Sequence, residues 1–400
     1  QDCIFRTFAH RTVQAMSCTE KVALLVGCYT RNHEARAYYT NHAEEGAYVV
    51  LLNIVDGSLS ISHGSVAAGV NPAYAAFNPK SSTAYFTNEN EKQGCIKAFS
   101  LVGAKLEPIN EQVVSGNHPC FISVTHDGAA LLCASYLSAD LCVYNLASDG
   151  SLGPATMTMQ LPKLDIAGPV AMRQDGPHAH CFVQLGDSDF GLCCDLGSDQ
   201  VFCISIGGGQ VVGKAALPEG SGPRHLAIAS DCKWIYVCTE LRNTICALPA
   251  DPTTGIIGPP AAIGSLLPDG YDGPPTTASH IELSPCGRFA YVGNRIGVAL
   301  DGACANAAEG AISVIDLGLG PEDGATPTLR LVELVYIGGR VPRGFCVHPA
   351  ANSRTGGSGW LVVAAQESSL LKSFRIDRST GRLSATGHLL EVPSPGVVVA

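Results

Sequence analysis

The chain has 400 residues, 46% of them hydrophobic, with 44 glycines, 24 prolines and a formal net charge of −10. That length buries a large core, and an acidic chain without a Lys/Arg block has little to offer nucleic acid or an anionic membrane. No apolar stretch is long enough to span a bilayer, so the expected partners are small molecules.

Residues 1–20, QDCIFRTFAHRTVQAMSCTE, read as an N-terminal extension, either a leader or a trimmed organellar presequence. Residues 21–400 read as one domain of a cytoplasmic protein, or of one in an organellar stroma or matrix if the extension is a transit-peptide remnant. Seventeen cysteines sit singly in apolar runs such as LLCASY and WIYVCTE. They read as small buried hydrophobes in a reducing compartment. Cys193 and Cys194 are adjacent, face opposite sides of a strand, and make a poor metal pair.

After the extension, VALLVGCYT from Val22 and GAYVVLLNIVDGSLSI from Gly46 supply the second, third and fourth strands of a unit without a first. Complete units follow at a period of about 50 residues. They open with NPAYAAFNPKSSTAYFTNE from Asn71, HPCFISVTHDGAALLCASY from His118, HAHCFVQLGDSDFGLCCDL from His178, GPRHLAIASDCKWIYVCTE from Gly222, TASHIELSPCGRFAYVGNR from Thr277 and VPRGFCVHPA from Val341. Each starts at a Pro or small residue (Pro72, Pro119, Ala179, Pro223, Ala278, Pro342), alternates, turns and returns. Third and fourth strands follow, as in ADLCVYNLASDGSLG, and no helical period is visible, which predicts a four-stranded antiparallel blade.

The chain finishes in PSPGVVVA, which supplies the missing first strand with Pro395 in the Pro position. The expected fold is therefore all-β: a seven-bladed propeller closed by the C-terminal strand joining the N-terminal blade. Residues 153–176, 257–276, 297–309 and 350–359 read as loops, and the last two as insertions.

Because strands 1 and 2 of a blade are joined by a tight turn, the start of one and the end of the other share one mouth of the central channel. The residues after the Pro position are Ala73, Cys120, His180, Arg224, Ser279 and Arg343. The strand-2 ends are Asn88 with Glu89, Tyr136, Asp195, Glu240, Asn294 with Arg295, and Gln366 with Glu367. Such a concentration of ionisable groups marks a candidate ligand site. The alternative is that some of them only tie blades together, most plainly Asp195, Asn88 and Glu89. Three arginines on one mouth, Arg224, Arg295 and Arg343, need an anion or carboxylates to balance them.

The motifs GPRH, PHAH, HPC followed by ASY, GNR and VPRGF together resemble the lactonase family of seven-bladed propellers. That family includes propeller-type 6-phosphogluconolactonase and carboxymuconate lactonising enzyme, and the likeness runs from about Val22 to Ala400. It implies catalytic roles for His180, Arg224, Glu240 and Arg295. The departures are PHAH in place of PHPH, degraded turns such as SDCK and SPCG, and the two insertions.

The implied reaction is hydrolysis of 6-phospho-D-glucono-1,5-lactone to 6-phosphogluconate in the pentose phosphate pathway. His180 is the expected base. Glu240 would orient it or hold Arg224, and Arg224, Arg295 and Arg343 would share the oxyanion and the phosphate. Arg343, His118, His178, Tyr136, Asn294 and Asp195 are the expected substrate-binding residues, and for His118, His178, Tyr136 and Asn294 a core or blade-tie role is the alternative. No cofactor and no metal is expected: calcium needs six to eight oxygens, and the arginines disfavour a cation. The expected partner is a small anionic sugar lactone, with no nucleic acid and no membrane, and the protein a monomer or weak homo-oligomer. The alternatives are the muconate-type cyclisation on the same residues, and a propeller that binds a ligand or a protein without catalysis.

Overall fold

The computed structural model describes residues 20–31, 42–163, 166–298, 307–318, 325–348 and 359–400. The N-terminal extension to residue 19 and most of both expected insertions lie outside the described residues.

Among the described residues there are seven antiparallel sheets, the seven blades of a propeller. Blade 1 has Pro395–Val399 innermost, then Lys21–Cys28, Gly46–Asn53 and Leu59–Ile61. The C-terminal strand therefore closes the ring, with Val26 opposite Val398 and Cys28 opposite Pro395. The inner strands of blades 2 to 7 are Ala75–Asn78, Pro119–Val124, Ala179–Gln184, Pro223–Ile228, Thr276–Leu283 and Pro342–His348. Their second strands are Thr83–Asn88, Ala130–Ser135, Phe190–Asp195, Trp234–Thr239, Phe289–Ile296 and Gly359–Ala365.

The second strands read as near-continuous apolar runs because both of their faces are covered, one by each neighbouring blade. Ile235, Tyr236, Val237 and Cys238 are all fully buried, as are Leu131 to Ala134. Tyrosines in these strands also tie adjacent blades: the Tyr85 hydroxyl donates to Gly150 O at 2.8 Å, and Tyr291 to Gly381 O at 3.0 Å. Blades 7 and 1 are joined by Ser373 Oγ donating to Gly57 O at 2.6 Å and by Trp360 Nε1 donating to Ile54 O at 3.2 Å. Among the described residues every cysteine is free, and most are buried, as the apolar runs around them predict.

Two backbone devices at the start of the inner strands position the mouth. The residue before the Pro position is left-handed in five blades, at Asn71, His118, Gly222, Val341 and Ser394. The residue after it is the extra residue of a bulge, because pairing skips Cys120, His180, Arg224 and Arg343 between regular partners. In blade 6 the skipped pair is Ser279 and His280. A bulge bends its strand and re-aims its side chain, which turns the repeat's most variable position towards the channel.

Candidate active site

The strand-2 ends fall into two columns. In six blades one residue donates its backbone N–H to the carbonyl just before the Pro position: Tyr29, Glu89, Tyr136, Leu196, Glu240 and Gln366. In blade 6 Arg295, opposite Thr277, takes this place. In blades 1 and 3 to 7 the residue before it pairs with the Pro position, as Asp195 does with Ala179, Thr239 with Pro223 and Asn294 with Ala278. Side chains alternate along a strand, so the two columns face opposite ways.

This one-residue offset corrects the expectation for two residues. The Asp195 carboxylate accepts His178 N–H at 2.6 Å, Gly197 N–H at 3.0 Å and Ser198 Oγ–H at 2.5 Å, so it closes the turn of its own blade. Asn294 Nδ2 donates to Ser313 Oγ at 2.7 Å and to Val292 O. Neither faces the channel, and Leu196 stands where the spacing had put Asp195.

Glu240 is the hub of the mouth. Its Oε1 lies 2.7 Å from Arg173 Nη1 and 2.9 Å from Arg295 Nη2, and its Oε2 lies 3.0 Å from Arg224 Nε. The Arg224 contact is close but not aligned for a hydrogen bond. All four side chains are buried, and three guanidinium groups share one carboxylate. Burial alone would raise the Glu240 carboxyl, but Arg173, Arg295 and Arg224 outweigh it and hold it well below the usual range. Burial, with Arg295 beside it, pushes Arg224 down to about 10. Burial works against the Arg173 charge as well, and Glu240 outweighs it, so Arg173 is raised.

Each arginine is also steered by neutral groups. Arg224 Nη1 donates to Ser279 O, and Arg295 Nη2 donates to Ala278 O at 2.9 Å. Arg173 Nε donates to the Tyr136 hydroxyl at 3.3 Å. Arg173 comes from the connection before blade 4, which is anchored by Gln174 donating to Asp199 Oδ1 at 2.9 Å. Nothing in the repeat register marks Arg173. The polar run MRQDG before PHAH was the sole available signal, and it reads as an ordinary loop.

His180 packs edge-on against Tyr136 and His225, at ring separations of 5.4 and 5.2 Å. Burial, then Arg224, hold it neutral, with a pKa well below 6.5. Its Nδ1 is 3.8 Å from Cys120 Sγ, a thiol pushed up by burial and therefore not a nucleophile. Tyr136 stacks on His178 at 4.5 Å. His178 Nδ1 lies 3.1 Å from Tyr136 O and its Nε2 2.9 Å from Asp175, so His178 joins blade 4 to blade 3.

On the opposite side of the mouth Glu89 accepts the Tyr29 hydroxyl at 2.7 Å and lies 3.3 Å from His118 Nδ1. The Arg343 guanidinium lies 5.0 Å from the Tyr29 ring centre. The structure therefore brings His180, Arg224, Glu240, Arg295 and Tyr136 together, and sets His118 and Arg343 across from them. Among the described residues no three His, Cys, Asp or Glu side chains cluster as a metal ion requires.

Fold and site define a class: a seven-bladed propeller with a buried Glu–Arg cluster beside a neutral histidine at its channel mouth. The family described as "Lactonase, 7-bladed beta-propeller" matches residues 23–400, and the chain belongs to that family of lactone hydrolases. It is 29% identical over 362 residues to the 6-phosphogluconolactonase of Bacillus subtilis, covering 89% of this chain and 95% of that one. Among solved structures, the periplasmic gluconolactonase of Pseudomonas aeruginosa superposes with a TM-score of 0.75 at 26% identity, covering 95% of this chain and 99% of the other. A protein from Lactobacillus plantarum superposes with a TM-score of 0.76 at 26% identity, with the same coverage. No helix of the described residues is long and apolar enough to cross a membrane.

Proposed function

We propose that the protein hydrolyses 6-phospho-D-glucono-1,5-lactone to 6-phosphogluconate, serving the pentose phosphate pathway. The observation that carries this reading is the gathering of three buried guanidinium groups on the single carboxylate of Glu240, which suits an anionic ligand and a developing oxyanion. The similarity to the Bacillus subtilis enzyme supports the substrate class.

In this reading water attacks the lactone carbonyl while His180 takes its proton. Arg224, the charged group that acts most strongly on His180, faces the oxyanion. Collapse breaks the ring C–O bond, and His180 returns the proton to the departing hydroxyl. Depression of its pKa leaves the imidazole unprotonated and weakly basic, which suffices because lactones already open in water. Arg295 and the half-buried Arg343 would hold the phosphate, and Tyr136 and His118 would meet sugar hydroxyls.

The test is the rate of loss of 6-phosphogluconolactone above its spontaneous opening, compared with unphosphorylated gluconolactone. A preference for the phosphorylated ring that disappears in Arg343→Ala supports the reading. No acceleration of either lactone overturns it. Turnover of 3-carboxymuconate in their place would assign the muconate-type cyclisation, and binding without turnover would leave a non-catalytic propeller.

A further inference from the structure

One step further along the inner strands, two imidazoles stand in a row whose hydrogen bonds can run in a single direction. Arg224 can only donate. His225 Nε2, 3.2 Å from Arg224 Nη1, must therefore accept. Neutral His225 then carries its proton on Nδ1, which lies 2.8 Å from His280 Nδ1. His280 accepts there and carries its own proton on Nε2, 3.4 Å from Glu282 Oε1. The second oxygen of Glu282 accepts Val347 N–H at 2.7 Å. A guanidinium at one end and a carboxylate at the other thus fix one tautomer at each ring. The opposite arrangement would aim two N–H groups at each other between Arg224 and His225.

The row crosses blades 5, 6 and 7, and its side-chain exposure rises from 4% at Arg224 through 12% at His280 to 27% at Glu282. It is also boxed in. His225 packs against Tyr74 and Phe121 from the far side of the channel, at 5.7 and 5.1 Å, and His280 against Phe345 at 4.9 Å. Neither ring can swing without displacing an aromatic neighbour. Arg224 Nε is at Glu240 and Nη1 is shared by Ser279 O and His225. Among the described residues no group accepts from Nη2, which leaves it for a ligand.

We propose that His225, His280 and Glu282 form a relay of positioning residues that holds the Arg224 guanidinium with Nη2 presented to the substrate. The proposal rests on the lactonase reading for the role of Arg224 at the oxyanion, but not for the relay itself. The neutrality that the relay needs at His225 agrees with burial, then Arg224, depressing its pKa well below 6.5.

The first test uses the full chain with 15N-labelled histidine and needs no activity. Long-range proton–nitrogen spectra should show His225 protonated on Nδ1 and His280 on Nε2. A His225 protonated on Nε2 overturns the relay. The second test compares His225→Gln, whose amide oxygen can still accept from Arg224, with His225→Leu, which fills similar space and cannot. With matched unfolding midpoints, the Gln variant should keep kcat within about threefold of the parent, while the Leu variant loses about tenfold or more in kcat with KM little changed. Equal kcat in the two variants overturns the positioning role, and if the Leu variant does not fold, the tautomers decide. An inactive parent with the expected tautomers would sink the lactonase reading and leave the relay standing. An active parent with the other tautomer would do the reverse.

Discussion

Two layers at the channel mouth handle burial in opposite ways. The upper layer, Arg173, Arg224, Arg295 and Glu240, keeps its charges. The lower layer, His225 and His280 one step beyond Arg224 on the inner strands, packs against Tyr74, Phe121 and Phe345, and burial holds His225, and His180 beside it, neutral. Arginine cannot shed its proton and has to be compensated, whereas imidazole escapes the desolvation cost by losing one. The difference teaches where each kind of work can be done: fixed positive charge above, proton exchange and tautomer-directed hydrogen bonds below.

The largest expected effect comes from removing the compensation. Glu240→Gln removes the carboxylate that three buried guanidinium groups share and should lower the unfolding free energy by about 3–5 kcal/mol, the range for breaking a buried ion pair. Glu282→Gln, at a side chain 27% exposed, should cost under about 1 kcal/mol. Urea unfolding of both variants checks this, and similar losses would erase the distinction between the layers. Next in size is Arg224→Ala, which should reduce kcat on the lactone by about 100-fold to 1,000-fold, as loss of an oxyanion donor does. A loss confined to KM would move Arg224 from the oxyanion to ground-state anion binding.

The upper layer was mostly legible in the sequence because the repeat supplies a register. Pro223 and Glu240 end one hairpin, so GPRH and the closing Glu had to meet, and Arg295 of GNR falls in the same column. The register failed by one residue at Asp195, because the sequence shows that a strand ends without showing which of its last two residues points inward. Arg173 was invisible for a different reason: it lies on a connection outside the repeat, and only the tertiary anchor between Gln174 and Asp199 brings it to Glu240. The lower layer was half visible. His225 stands in GPRH and His280 in ASHIE, but their facing rings depend on bulges that no composition signal announces.

Acid should separate the layers in time. His180 and His225 have folded pKa values depressed below the ordinary 6.5, so the unfolded chain binds protons there before the native protein does. Their contribution is fully present above pH 6.5 and is lost as pH falls below it, at about 1.4 kcal/mol for each pH unit and each group. Glu240, also depressed, adds its own loss only as pH falls below 4.5. Unfolding midpoints measured from about pH 8 to about pH 5 should therefore decline as His180 and His225 lose this contribution. A double variant, His180→Asn with His225→Gln, should flatten that decline. An unchanged slope would show that the two buried histidines do not carry the pH response.

A smaller effect than loss of Glu240 or Arg224 tests whether the layers can be disturbed separately. Gly222 holds the left-handed corner before Pro223 with φ 59°, and a Cβ there would meet Leu241 Cγ at 2.6 Å. It is pinned by its N–H donating to Asp199 Oδ1 at 2.7 Å. Gly222→Ala should cost about 1 kcal/mol or more, from the strained φ together with the displaced leucine. The corner sets the angle at which Arg224 leaves the strand, so kcat on the lactone should fall with it. His280 and Glu282 lie on blade 6 and do not depend on that corner, so the link between them should survive, with His280 still protonated on Nε2. A variant that lost its His280–Glu282 link along with its activity would show the two layers to be one cooperative unit.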